Sequence, residues 1–272
     1  MKNQKNKMKN KVYNILWIAL VAIIMVSCND DETIPPSNGG TTTYNSGDVD
    51  INFENIAGSV FLDPTGATNY VNASGETFSV TNFKYYISNV QLIKQDGTKY
   101  EVPNSYFLID ANDTNSLIAT LSNIPGGKYT GVEYLIGVDS ARNVSGAQTG
   151  ALDPLNGMFW SWNSGYIFMK LEGNSTAATN NSFVFHIGGF TGNNSSLRNV
   201  SIDFTPSVLI VDGGRREAEI HLRTDVLEVF KNPVNWTIAG HSTIMSPGVN
   251  ATTVATNYTD MFSFDHIHND PL

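Results

Sequence analysis

The stretch Phe78-Ser79-Val80-Thr81-Asn82-Phe83-Lys84-Tyr85-Tyr86-Ile87-Ser88-Asn89-Val90-Gln91-Leu92-Ile93 is dominated by aromatic and β-branched side chains, the residues that fit a pleated, half-buried surface. It runs into Asp96-Gly97 and then Lys99-Tyr100-Glu101-Val102. Gly accepts the positive φ that a right-twisted hairpin demands, so the segment reads as two antiparallel strands joined by a tight turn. The same grammar recurs along the chain in short runs with period-2 alternation, separated by Gly, Asn, Asp and Pro. It predicts further strands over 50–55, 106–109, 129–138, 166–172, 183–187, 200–204 and 217–222. One short helix is predicted over 225–230, with Thr224 as its cap and Pro233 beyond its end. No long amphipathic helix and no internal repeat is visible. The expected fold is all-β: an antiparallel β-sandwich with long loops and one short helix.

The amino terminus carries a different signal. Lys2, Lys5, Lys7, Lys9 and Lys11 precede an apolar run from Ile15 to Val26, the arrangement of an export signal. The run is shorter than the roughly 20 residues needed to span a bilayer. It ends in Met25-Val26-Ser27-Cys28, which resembles the lipobox of bacterial lipoproteins, where cleavage precedes an acylated cysteine. Residues 1–27 are therefore read as a lipoprotein signal peptide and Cys28 as the lipidation site. Residues 28–47, with the acidic Asp30-Asp31-Glu32, Pro35-Pro36, Gly39-Gly40 and Thr41-Thr42-Thr43, read as a flexible tether. Residues 48–272 form the folded domain. The expected location is the cell envelope, on an outer-membrane lipoprotein facing the periplasm or the cell surface, held to the membrane through the lipid on Cys28.

Composition narrows the function. Cys28 is the sole cysteine, so the domain holds no internal disulfide and no thiolate metal cluster. A formal net charge of −9, without a basic run beyond the signal, argues against nucleic acid, which needs clustered Lys and Arg to neutralise phosphates. No G-x-S-x-G elbow, H-E-x-x-H helix or Walker loop is present, and the expected protein is not an enzyme. Asp110-Ala111-Asn112-Asp113-Thr114 begins like a calcium loop but lacks the central Gly and closing Glu.

The densest unusual segment is Gly157-Met158-Phe159-Trp160-Ser161-Trp162-Asn163-Ser164-Gly165-Tyr166. On an extended chain Trp160 and Trp162 share a face about 7 Å apart. Such a pair can pack a core, offer a sugar a stacking platform together with Tyr166, or form a redox-active couple. Of five histidines, His266 and His268 share a strand face near the carboxyl terminus and can hold one metal between them, copper or zinc suiting imidazole. An exposed tail is the plainer reading. His186 alternates with Phe185 and Ile187 and so points away from their face. His221, within Ile220-His221-Leu222, is as ambiguous and has no supporting neighbours in the sequence.

Taken together, Tyr85-Tyr86-Ile87-Ser88-Asn89-Val90, Gly137-Val138-Asp139, Leu152-Asp153-Pro154, residues 157–173, Phe185-His186-Ile187-Gly188-Gly189, and the ending with Met261-Phe262, His266 and His268 resemble the MbnP-like family of periplasmic or surface copper-binding proteins. The resemblance runs from about Val49 to His268. It implies a β-sandwich that handles or takes up copper, without an organic cofactor. It further implies that a tryptophan, here Trp160 or Trp162, is oxidised to kynurenine by a partner di-haem c-type cytochrome peroxidase of the MauG-like type. The product would then help histidines bind copper, with His186, His266 and His268 as the matching candidates. The rival reading is a surface glycan-binding or adhesive sandwich that uses the tryptophans as its platform.

Overall fold

A computed structural model describes residues 42–146, 148–162 and 165–272. The segment read as an export signal, Cys28 and most of the segment read as a tether lie outside them. Among the described residues no helix is long and apolar enough to cross a membrane.

Every strand read from the sequence is present, with ends shifted by at most three residues. They assemble into two sheets. The smaller runs in the order Phe262–His268, Glu219–Asp225, Gly47–Ala57, Val60–Phe61, with Ile118–Ile124 also pairing to Gly47–Ala57. The larger has the order Arg198–Asp203, Gly127–Ile136, Thr77–Lys94, Gly165–Asn174, Ser182–Gly188, Thr243–Ile244, with shorter strands added along it. The predicted hairpin closes as expected, Gly97 taking φ +82°. Pairing is not antiparallel throughout. Gly47–Ala57 lies parallel to Glu219–Asp225, and Ser182–Gly188 parallel to Thr243–Ile244. The first of these joins segments so far apart in the chain that no turn constrains their direction, and the sequence has no means of announcing it.

Alternation sorts the side chains into layers. On the small sheet Ile51, Phe53, Ile220 and Leu222 are buried in the main core. Phe53 stands at the centre, edge-on to Tyr85 at 6.1 Å, Tyr134 at 6.3 Å and Phe262 at 6.2 Å. On the large sheet Tyr85 and Tyr86 are consecutive and both buried, which alternation permits only if both faces are covered. Tyr85 enters the main core, whereas Tyr86 enters a second cluster with Val138, Leu152, Met158, Trp160, Tyr166, Ile167 and Phe168. The result is a layered order: the outer face of the small sheet, the main core between the sheets, the large sheet, and the tryptophan cluster outside it.

Two helical features differ from expectation. The turn at the end of Glu219–Asp225 is 3₁₀, over Val226–Phe230, and Asp225 caps it by accepting from the Leu227 amide at 3.0 Å. Thr224 does not cap; it is fully buried in the strand, with its hydroxyl 3.0 Å from that of Tyr85. The helix Val249–Tyr258 was not predicted. It buries Ala251, Val254, Ala255 and Tyr258, a helical stripe, yet half its positions are Val or Thr, which disfavour helix intrinsically. Thr252, Thr253 and Thr256 turn their hydroxyls back onto carbonyls of the preceding turn.

Candidate metal centre

His221 lies in Glu219–Asp225, while His266 and His268 lie in the neighbouring Phe262–His268. The two strands are antiparallel, and His221 stands directly opposite His266, Glu219 opposite His268. A β-bulge interrupts the register between His221 and Leu222, leaving Asp265 without a cross-strand partner. Its effect is a change of phase. Phe264 and Ile267 both pack against the core, so Asp265 and His266, although adjacent, both turn outward, followed by His268. One extra residue thus gathers three imidazoles and a carboxylate on the outer face of the small sheet.

The rings are close. His221 stacks on His266 at 4.2 Å and 13°, and His268 stands nearly perpendicular to both, at 5.0 and 4.8 Å. One nitrogen from each ring lies within 4.8 Å of the others. The Nε2 atoms of His266 and His268 are 3.0 Å apart. Two nitrogens bound at about 2.0–2.1 Å to one ion are separated by about 3 Å at a right angle and about 4 Å when opposite. His266 and His268 already have the first spacing, and a His221 nitrogen lies within 4.8 Å of both.

Carboxylates surround the rings. Asp265 lies 2.8 Å from His266 Nδ1, Asp270 3.5 Å from His268 Nδ1, and Glu219 3.3 Å from His221 Nε2. Glu54 Oε1 is 3.5 Å from His221 Nδ1, but outside hydrogen-bond geometry, so that nitrogen is buried without a hydrogen-bond partner. A carboxylate on the far nitrogen of an imidazole fixes its tautomer and aims the other nitrogen at an ion. His266 shows this arrangement, with Asp265 on Nδ1 and Nε2 facing His268; Asp270 lies near His268 Nδ1 without a hydrogen bond. The donor set and spacing fit a metal ion. Beside His221 opens a cleft of about 610 Å³, lined by Phe61, Leu62, Pro64, Leu117 and Ile118 together with Asn52 and Glu54.

The expected site residues divide between two faces. His266 and His268 are together, as their spacing predicted, in a strand rather than a loose tail. His186 does not join them. It lies on the outer face of the large sheet, its Nε2 2.6 Å from Glu172 Oε1. That bond lowers the Glu172 pKa; Glu172 is further held by Asn82, 3.0 Å away. His186 is two residues along its strand from Gly188, and a Cβ on Gly188 would strike the Trp160 ring at 2.7 Å. It therefore shares the tryptophan face. The single pocket implied by the family resemblance, with indoles, His186, His266 and His268 converging, is not formed among the described residues, because the two sheets and the core lie between its halves.

Trp160 and Trp162 do lie side by side, at 5.7 Å and 43°, but in different surroundings. Trp160 is 5% exposed, its Nε1 buried without a hydrogen-bond partner, whereas Trp162 follows in a turn and is 63% exposed. Tyr166 is buried as well, so a stacking platform for a sugar reduces to Trp162 alone.

These features define an all-β sandwich with a cluster of three imidazoles on the outer face of one sheet and a tryptophan pair beyond the other. The chain belongs to the MbnP family, whose model matches residues 46–246. That span includes Trp160, Trp162, His186 and His221 but ends before His266 and His268. Among solved structures, MbnP from Methylosinus trichosporium matches with a TM-score of 0.52 at 14% identity, over 83% of this chain and 99% of that one. At that identity the likeness concerns the fold. No curated protein matches the chain.

Proposed function

We propose that the protein is an extracytoplasmic, lipid-anchored metal-binding protein that handles copper, with His221, His266 and His268 as its ligands. The observation that carries the reading is the 3.0 Å approach of the His266 and His268 Nε2 atoms beneath the stacked His221 ring. Copper is the ion suggested by imidazole donors and by family membership. Membrane attachment rests on the Lys-rich apolar leader ending at Cys28.

The tryptophan pair supports a second element of the same proposal, oxidation by a partner di-haem peroxidase. Trp162 offers an exposed indole to such a partner, and Trp160 lies in ring contact behind it. Since this face lies across the sandwich from the triad, an oxidised tryptophan would serve a separate purpose, or a ligand set with His186, rather than complete the triad.

The test is metal analysis of the full chain after copper loading, beside His266→Ala/His268→Ala and His186→Ala variants. The expected result is one copper per chain in wild type and His186→Ala and none in the double variant. Equal copper in all three rejects the triad. Intact-mass analysis of protein from its native host tests the second element: an oxidised product retained in Trp160→Phe and absent from Trp162→Phe assigns the exposed indole, and no mass increment in wild type rejects oxidation.

A further inference from the structure

We infer that Arg142 anchors a second binding site, which takes a small organic carboxylate. The site lies on the outer side of the large sheet, and the inference does not depend on the metal reading. A cavity of about 480 Å³ opens there, its wall including Asn104, Tyr106, Arg142, Gln148, Ala151 and Leu152. Tyr106 pairs with Ser88 of Thr77–Lys94 and packs against the tryptophan cluster, which fixes the cavity to that face. The Arg142 guanidinium lies over the Tyr106 ring, 5.2 Å from its centroid. It donates to two amide oxygens, Asn104 Oδ1 at 2.9 Å and Gln148 Oε1 at 3.2 Å. Gln148 is itself held, its amide donating to the Arg142 carbonyl and the Ser145 hydroxyl, both at 2.9 Å. Asp139 places the backbone: its carboxylate accepts from the Arg142 amide and from the Tyr106 hydroxyl.

The charge of Arg142 is held but not answered. A guanidinium carries five N–H donors and no acceptor, and the two amide oxygens engage only two of them. Among the described residues Arg215 and Arg223 have acidic partners, whereas Arg142 has none. Asp139 does not serve, since its oxygens go to the phenol and the backbone amide. Neutral amides and an aromatic face therefore order the side chain in advance without cancelling its charge, which spares a ligand much of the entropy of fixing a mobile arginine. The planar fork matches a carboxylate, whose two oxygens accept two parallel N–H bonds. A phosphate dianion fits less well, because no lysine or second arginine lines the cavity and the chain carries a net charge of −9. Ala151 and Leu152 offer apolar surface to the organic part of the ligand.

The test is a ligand-observed NMR titration of the full chain, without added metal, using benzoate, acetate, benzamide and inorganic phosphate as probes. Arg142→Gln, Arg142→Lys and Gln148→Glu are titrated beside wild type. Benzoate is expected to bind saturably and more tightly than acetate or phosphate, with its uncharged counterpart benzamide weaker by roughly tenfold or more. Arg142→Gln should weaken benzoate by a similar factor, and Arg142→Lys should not restore it, because an ammonium lacks the fork. Gln148→Glu adds no bulk but sets a carboxylate against the guanidinium, so it should block benzoate while leaving the circular dichroism spectrum that of wild type. Benzoate bound equally well by wild type and Gln148→Glu, or no more tightly than benzamide, overturns the assignment. Phosphate bound more tightly than both carboxylates overturns the ligand class, and no saturable binding of either carboxylate removes the site.

Discussion

Replacing Tyr85 by Phe should loosen the join between the two sheets. The Tyr85 hydroxyl is fully buried in the main core and donates to Asn55 Oδ1 at 3.1 Å, with the Thr224 hydroxyl 3.0 Å away. Burial holds its pKa far above the usual phenol range, so it remains a donor at every relevant pH. Tyr85 belongs to the large sheet, Asn55 and Thr224 to the small one, and Thr224 shares its strand with His221. Removing the oxygen changes the ring little but strips a partner from Asn55 and Thr224. Asn55 Nδ2 already has none, so the site has no spare group to compensate. A buried polar group left unpaired costs about 1–3 kcal/mol. For a domain of this size each kcal/mol lowers Tm by roughly 2–4 °C, giving a fall of roughly 2–12 °C. Calorimetry of Tyr85→Phe, Thr224→Val and the double variant measures it. The double variant should lose less than the sum of the singles, because each removes the same bond. A Tyr85→Phe protein within about 0.5 kcal/mol of wild type, or strictly additive singles, would refute the network as the join between the sheets.

Other expectations concern the large-sheet face. Gly188→Ala drives a methyl into the Tyr166 carbonyl and the Trp160 ring, at 2.6 and 2.7 Å, and should cost about 1–3 kcal/mol while changing tryptophan fluorescence; an unchanged spectrum and stability would show that the indole does not lie where described. Glu172 is depressed from its usual 4.5 chiefly by the His186 hydrogen bond, so its contribution is present above that range and fades as pH falls through the lowered pKa. Chemical denaturation should therefore find wild type more stable than Glu172→Gln at neutral pH, with the gap closing below about pH 4.5. A gap independent of pH would assign the loss to packing instead.

Much of the sandwich was legible because β-strands advertise themselves locally: Thr77–Lys94 and its hairpin are written in aromatic alternation and one Asp-Gly. What escaped was set by distant partners. The strand Phe262–His268 looked equally like a tail, because its neighbour Glu219–Asp225 lies across a long intervening segment. Val249–Tyr258 hid a helical stripe behind Val and Thr, whose preference for strands tertiary packing overrode. The site shows the same division. The shared face of His266 and His268 follows from their spacing, whereas His221 gave no sign beyond apolar neighbours, since its meaning lies in a cross-strand register. The family pattern drew His186 and the carboxyl-terminal histidines into one pocket, and the two-sheet layering separates them. Sequence patterns carry which face a residue occupies far better than which sheet bears that face.

The most direct test is a crystal structure of the copper-loaded protein, with anomalous diffraction collected at the copper edge. One strong peak is expected on the outer face of the small sheet, within bonding distance of His221, His266 and His268. A peak beside Trp160 and His186 instead, with the triad empty, would contradict it.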